Sequence, residues 1–302
     1  MSVRLSDITS ADIAAERARF PRAYSASVRE RVHFWLLWGG GTALTLYCLY
    51  RFGFFTAGFL HGVSKFGSVV VAQLFPPTGF ANLPMFMMVM GETIAMAFMG
   101  TLLGAMFAFP LSFLASRNMT RSRPLQFGAR RFADLLRSFD YLIWALIFVR
   151  AIGLGPLAGI MAIAIVETGT FVKLYSEAIE NLDRKQIDGV IAAGGDGLQR
   201  IRFGVMPQVL PMMLSNTLYM FEHNVRSASI LGIVGAGGIG FLLADRLRAY
   251  ELQEACLIII MVVLTVYAID FLSKKLRERI IGDDQRPQIV DDQPQFAKPK
   301  AK

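Results

Sequence analysis

Long apolar blocks separated by short charged segments are the feature that most limits how this chain can fold. A helix needs about 20 mostly apolar residues to cross the hydrocarbon core of a bilayer. Only 18% of the 302 residues are charged, whereas soluble domains carry about a quarter. We therefore predict an all-α integral membrane protein of about six transmembrane helices. The predicted spans are residues 33–52, 85–115, 132–152, 157–174, 209–234 and 255–272.

The remaining segments divide the chain into four parts. We interpret the Arg-rich residues 1–32 as a cytoplasmic lead-in. Residues 33–84 hold the first span, an outer loop and an amphipathic helix at the outer interface, because aromatic and aliphatic residues recur there every three or four positions. Residues 85–275 form the membrane core. Residues 276–302 are rich in Gln, Asp, Pro and Lys, so we expect a disordered cytoplasmic tail.

The distribution of Lys and Arg indicates the orientation of the spans. With the N-terminus inside, the cytoplasmic segments 1–32, 116–131, 173–205 and 273–302 hold 24 of the 31 basic residues, and the outer segments hold 5. This is the asymmetry that the positive-inside rule predicts. We expect both termini to be cytoplasmic, and we attribute the net charge of +8 to membrane orientation rather than to nucleic-acid binding.

The loop at residues 183–207, between the fourth and fifth spans, carries the most specific pattern. Asp183 and Asp196 can each cap a short helix, and Gly194-Gly195 separates the two helices. A short helix held between two spans is suited to dock in a groove of a cytoplasmic partner. The alternative is a solvated loop that rests on the lipid headgroups.

The spacing within this loop resembles the coupling loop of ABC importer permeases. Asp188-Gly189-Val190 is followed after three residues by Gly194, and nine residues later by Gly204-Val205-Met206-Pro207. The chain departs from the general pattern at Asp188, at Gly189-Val190 and at Gly204. The stretches at residues 186–190, 204–211, 221–232 and 153–159 resemble the phosphonate-importer permeases in particular.

The resemblance implies a type I ABC importer permease-like fold and an ATP-driven importer of phosphonates or related phosphorus oxyanions in the bacterial inner membrane. It also implies alternating access with a second permease copy, two cytoplasmic ATPase subunits and an external substrate-binding protein. No Lys follows a Gly in the chain, so no Walker A loop is present, and ATP and Mg²⁺ are expected in the ATPase. We predict no enzyme activity, cofactor or metal site in this chain. The expected ATPase-coupling residues are Asp188, Gly189, Ala192, Ala193, Gly194, Arg200 and Pro207.

The fifth span carries Glu222 and Arg226, and each costs about 2.5–3.5 kcal/mol at the centre of a membrane helix. Four residues apart on a helix, they can form a structural ion pair. The other interpretation is that Arg226 lines the path of an anionic substrate, because its planar fork of donors matches two oxygens of a phosphorus oxyanion. The candidate path residues are Glu167, Glu222, Asn224 and Arg226.

Residues 235–240 match G-x-G-x-x-G, but no soluble βαβ unit surrounds them, so we do not predict nucleotide binding. We predict a close-packed, flexible turn, which the resemblance places near the outer gate. Its glycines are Gly235, Gly237, Gly238 and Gly240.

Two other functions stay open at this point. A proton-coupled secondary transporter would use Glu167 or Glu222 and would need no ATPase. The same importer architecture could also carry another cargo, such as phosphate, phosphite or methionine.

Overall fold

A computed structural model describes residues 28–281 apart from residues 55 and 121, and every regular element within these residues is a helix. The tail from residue 282 and all but the last five residues of the predicted lead-in lie outside the described part. The chain forms two compact units, one extending to Ala72 and the other beginning at Gln73.

The first unit contains α1 (Val28–Arg51) and α2 (Ala57–Ser68), and α2 continues as a π-helical turn, Val69–Leu74. The 24 residues of α1 cover all but the last residue of the predicted first span, and they extend for roughly 36 Å. However, α1 is less apolar than the helices of the second unit that are long and apolar enough to cross a bilayer. The amphipathic helix predicted within residues 33–84 is present as α2, and its position at the outer interface stays a prediction.

The second unit is a helix bundle. Its helices are α3 (Leu83–Ala115), α4 (Arg123–Leu136), α5 (Tyr141–Ile152), α6 (Pro156–Glu180), α7 (Arg184–Ala192), α8 (Gly197–Gln199), α9 (Met206–Leu231), α10 (Ile239–Arg248) and α11 (Leu252–Ile281). Short turns precede α3, lie between α8 and α9, and follow α9; they are Phe80–Asn82, Arg200–Val205 and Gly232–Val234.

Within the described residues, α3, α6 and α11 are each long and apolar enough to cross a bilayer. α9 and α10 together are long and apolar enough to form a fourth span, which is bent by 45° at a short break between them. The prediction of an all-α membrane protein is confirmed. The predicted spans at residues 85–115, 157–174 and 255–272 lie within α3, α6 and α11, apart from small differences at the ends.

Residues 132–152 were predicted as one continuous span, and this prediction is wrong because they do not form a single helix. The chain breaks between α4 and α5 at residues 137–140. Arg137 ends α4 and donates hydrogen bonds to Asp134, while Asp140 occupies the N-cap position of α5. Because both charged side chains lie at helix ends, neither has to sit inside a continuous apolar span. The 12 residues of α5 extend for only about 18 Å.

The α3–α6 pair makes the most extensive helix contact in the bundle. A Cβ atom on Gly100 would lie 2.7 Å from Ile163, and one on Gly104 would lie 2.6 Å from Cβ of Glu167. These two glycines form a G-x-x-x-G pattern that lets the two backbones approach closely. Any larger residue at either position would push α3 and α6 apart.

The bundle has two ends, which we call the loop end, where residues 183–205 lie, and the far end, where residues 235–240 lie. α3, α6 and α11 run towards the loop end, whereas α9 runs away from it. Three clusters of buried side chains fill the bundle at the loop end, in the middle and at the far end. Phe171 and Tyr175 belong to the first cluster, and Phe86 and Ile239 belong to the last.

Candidate functional site

The segment from Asp183 to Val205 is a pair of short helices with well-defined ends. The Asp183 carboxylate accepts a hydrogen bond of 3.0 Å from the amide of Lys185 and caps α7. Gly194 has a left-handed φ of 80°, which stops α7. Asp196 and Gln199 then form a reciprocal capping box at α8, with distances of 2.9 and 3.1 Å. Both predicted caps are confirmed.

The pair of helices is attached firmly to the start of α9. Ile187 of α7 lies directly over Gly204, where a Cβ atom would be 3.2 Å from Cα of Ile187. The Gln208 side chain donates to the Gly204 carbonyl at 2.7 Å and accepts from the amide of Asp183 at 3.3 Å. Gly204, where the chain departs from the general coupling-loop pattern, is therefore the position that allows α7 to pack closely.

All seven residues expected to couple to an ATPase are exposed, six on this segment and Pro207 in the first turn of α9. They are Asp188, Gly189, Ala192, Ala193, Gly194, Arg200 and Pro207. Three apolar side chains lie among them with large exposed fractions: Ile191 at 44%, Leu198 at 75% and Phe203 at 58%. Ile187 and Ile201 are half-buried instead. We call the exposed set, from Asp188 to Pro207, the loop-end surface. It combines small residues with exposed apolar side chains, a combination that suits docking.

The predicted ion pair between Glu222 and Arg226 is wrong. Glu222 instead pairs with Arg277 of α11 at 3.1 Å, and Arg226 lies 3.7 Å from Asp270 of the same helix. The guanidinium of Arg277 also lies 5.7 Å from the ring centroid of Tyr219. The antiparallel packing of α9 and α11 brings these partners together, so the two charges of α9 join two helices rather than each other.

Glu167 and Asn224 are buried inside the bundle of this chain. Both side chains have 0% exposure. The Tyr141 hydroxyl donates a hydrogen bond of 2.7 Å to Glu167, and the Asn224 amide donates one of 2.9 Å to Thr101. These contacts link α5 to α6 and α9 to α3. In this conformation, neither side chain can reach a path at the surface of the chain.

An exposed face of α9 carries the remaining candidate, Arg226. The side chain of Arg226 is 53% exposed, and Tyr219, His223 and Ile230 are exposed at the same three- or four-residue spacing. This face carries a cation and an imidazole, and it contacts the bundle only at its edges, through Asp270, Arg277 and Tyr141.

The turn at residues 235–240 is closely packed, as predicted. Gly235, Gly237 and Gly238 all have left-handed φ angles. A Cβ atom on Gly240 would collide with the Ser229 carbonyl, and one on Gly237 would lie 2.8 Å from the backbone nitrogen of Pro156. The turn joins α9 to α10, a helix that the sequence did not predict.

The structure adds residues that sequence reasoning missed. Tyr141, Thr101 and Arg277 act as partners of predicted residues, and each lies on another helix, so no local pattern could identify them. The G-x-x-x-G pattern at Gly100 and Gly104 was a usable signal for the α3–α6 contact. Among the described residues, no group of three or more His, Cys, Asp or Glu could hold a metal ion.

Comparison with known proteins identifies the class. The sequence profile of the binding-protein-dependent transport system inner membrane component family matches residues 100–281. The match includes α6, the loop-end surface, α9 and all of α11. The chain belongs to this family, and it is a multi-pass membrane component of a transport system.

The names of its relatives refer to transport of phosphite, phosphonate or phosphate. A Stutzerimonas stutzeri protein named as a phosphite transport system permease, HtxC, is 37% identical over 220 residues, which are 73% of this chain and 77% of that protein. A protein of Escherichia coli K12 named as a cryptic phosphonate transport system permease, PhnE2, is 43% identical over 121 residues, 40% of this chain and 99% of that protein. The phosphate-import permease PhnE of Mycolicibacterium smegmatis is 37% identical over 190 residues, 63% of this chain and 36% of that protein.

A solved structure supports the fold independently. The MetNI methionine ABC transporter in an inward-facing conformation contains a chain that aligns with a TM-score of 0.59. The alignment covers 67% of this chain and 99% of that chain at 20% identity. The fold is that of a type I ABC importer permease.

Proposed function

We propose that this chain is the permease subunit of an ATP-driven importer for phosphonates or related phosphorus oxyanions, including phosphite and phosphate. The observation that carries the proposal is the loop-end surface, which protrudes from a bundle that belongs to a transport family. The cargo class follows from the relatives, whose names give phosphite, phosphonate and phosphate.

The loop-end surface is the docking site for an ATPase. Because Gln208 and Gly204 hold α7 against the start of α9, a force on α7 passes into a membrane helix. Two ATPase subunits bind ATP and Mg²⁺, and a second copy of the permease completes the path. The loop end faces the cytoplasm of a bacterial cell, and the far end receives substrate from an external binding protein.

The exposed face of α9 lines the path for the cargo. Arg226 supplies a guanidinium that is half exposed and only loosely held by Asp270 at 3.7 Å. A guanidinium binds two oxygens of a phosphorus oxyanion at once, which an ammonium cannot do with the same geometry. Arg226→Ala should therefore impair uptake more than Arg226→Lys. The turn at residues 235–240 acts as the outer gate, above this face.

Uptake into proteoliposomes tests the proposal. The chain is reconstituted with its co-encoded ATPase and binding protein, with ATP in the compartment that the ATPase faces, and labelled methylphosphonate is supplied with phosphite or phosphate as competitor. We expect uptake that needs both partners and ATP. Uptake by the chain alone under a pH gradient would instead establish a proton-coupled transporter, and ATP-dependent uptake of methionine alone would overturn the cargo class.

A substitution at Ala193 tests the docking assignment. Ala193 is exposed and has an ordinary φ of −77°, so Ala193→Arg adds bulk without backbone strain. Gly194 is less suitable because its left-handed φ would strain any side chain. We expect Ala193→Arg to reduce ATP-dependent uptake at least tenfold, with Ala193→Ser as the matched control.

The same variants are compared for copurification of the ATPase. Ala193→Arg should lose the ATPase while its melting temperature matches that of Ala193→Ser. Normal uptake by Ala193→Arg would show that the loop-end surface does not dock.

A further inference from the structure

A basic cavity of about 220 Å³ lies between α4 and the loop-end half of α6. The lining contains four cationic and two acidic side chains: Arg130, Arg131, Arg137 and Lys173, with Asp134 and Glu177. The lining therefore has an excess of positive charge. None of the functional assignments made above uses this cavity.

The acidic side chains do not occupy all the hydrogen-bond donors that line the cavity. Asp134 is shared, because one carboxylate oxygen accepts from Arg137 at 2.7 Å and the other pairs with Arg131 at 2.8 Å. The hydrogen bond from Arg137, with the nearby positive charges, holds the pKa of Asp134 below its usual value of 3.8. Asp134 therefore stays ionised at neutral pH and binds both arginines, yet each guanidinium carries five N–H donors.

The other cations are held to different degrees. Arg130 is held by contacts within the bundle, since it pairs with Glu180 and donates a hydrogen bond to the Ala115 carbonyl. Lys173 is only loosely placed, 3.9 Å from Glu177, and about half exposed. Lys173 and Arg131, which is 62% exposed, are therefore the cations most available to an incoming anion.

The position of α4 indicates the source of that anion. Leu125, Phe132 and Leu135 are exposed by 50% or more. At 100° per residue they share one side of α4, while Arg130 and Arg137 lie on another side. α4 runs along the loop-end half of the spanning helix α6, with Arg130 at Glu180 and the end of α4 at Gly169, so its exposed apolar side faces the acyl chains and its basic side lies towards the headgroups. The cavity thus opens where lipid phosphates lie and acyl chains can cover the apolar side.

We propose that the α4–α6 cavity binds the phosphate group of an anionic phospholipid from the leaflet at the loop end. Basic pockets between membrane helices are typical sites for anionic headgroups. The lipid phosphate accepts from Arg131 and Lys173, and its acyl chains lie along Leu125 and Phe132. The site secures α4 against α6, and it does not depend on which cargo the chain carries.

Lipid binding to the purified full-length chain tests this site. The chain in detergent is titrated with dioleoyl phosphatidylglycerol or dioleoyl phosphatidylcholine, and bound lipid is counted by native mass spectrometry. Arg131→Gln with Lys173→Gln removes the two most exposed cations of the cavity. We expect about a 25-fold weaker retention of phosphatidylglycerol, because each of the two basic groups near the lipid phosphate adds roughly fivefold. Phosphatidylcholine should be retained weakly by both forms.

A matched control removes two exposed charges elsewhere at the same end of the bundle, with Lys274→Gln and Lys275→Gln. This variant should retain phosphatidylglycerol like the unchanged chain, as should the charge-conserving Arg131→Lys with Lys173→Arg. Equal losses in the cavity and control variants would overturn the proposal. So would unchanged retention in the cavity variant, or complete displacement of the lipid by millimolar inorganic phosphate, which would identify a site for a free anion.

Discussion

At the scale of single residues, Glu167 shows how burial limits the function of an acidic side chain. It lies opposite Gly104, has no exposed surface and accepts a hydrogen bond from Tyr141. A proton relay requires access to water, which this fully buried carboxylate lacks in this conformation. The geometry around Glu167 favours a structural role, in which it fixes α5 against α6.

Two substitutions at Glu167 separate these roles. Glu167→Gln keeps an acceptor for the Tyr141 hydroxyl and nearly the same volume, so we expect ATP-driven uptake to persist. Glu167→Ala leaves the hydroxyl without its partner and opens a cavity, which should destabilise the chain by about 1–3 kcal/mol. Thermal unfolding in detergent measures the stability. Loss of uptake in a Glu167→Gln protein that is fully folded would contradict the structural role.

At the scale of helices, the two ion pairs between α9 and α11 replace the pair expected within α9. Glu222 and Arg226 are neighbours on one helix, and a sequence pattern can only propose such local partners. The packing of α11 supplies Arg277 and Asp270 instead. Charges that belong to two different helices restrain the movement of one helix against the other.

A double-mutant cycle measures this restraint. Glu222→Gln and Arg277→Gln should show a coupling energy of about 0.5–3 kcal/mol in thermal unfolding, because the pair is largely shielded from solvent. The matched cycle of Glu222→Gln with Arg226→Gln should give less. A larger coupling between Glu222 and Arg226 would mean that the original local pair, and not the observed one, forms in the membrane.

Local signals explain why some elements were predictable. The spans in α3, α6 and α11 follow from apolar runs, and the caps at Asp183 and Asp196 follow from side chains that bond within three residues. The break between α4 and α5 was signalled by Arg137 and Asp140, but their effect depended on the end of α4 packing at Gly169 of α6. Helix α10 was not predicted because charged residues interrupt the run of apolar residues in its sequence.

At the scale of the whole molecule, the two ends of the bundle have different surfaces. The loop end carries the loop-end surface and the basic cavity, and the far end carries the glycine turn. The excess of Lys and Arg in the segments at the loop end predicts that this end is cytoplasmic. The proposed direction of transport depends on that orientation.

Cysteine labelling tests the orientation. In a background with Cys48→Ser and Cys256→Ala, a cysteine replaces the exposed residue Arg248 near the far end or Lys275 near the loop end. In intact cells with a permeabilised outer membrane, a membrane-impermeant maleimide should label Arg248→Cys and spare Lys275→Cys until the inner membrane is opened. The reverse pattern would invert the topology and the assignment of the loop-end surface to the cytoplasm.

By itself, the sequence determined the membrane class, most span positions and the capped helices at the loop end, because each depends on the composition or the hydrogen bonds of neighbouring residues. Only the tertiary structure decided which charged side chains meet, which candidate residues are buried and where the basic cavity forms. Those properties depend on how far apart packed helices lie, and the close approach at Gly100 and Gly104 sets that distance for α3 and α6.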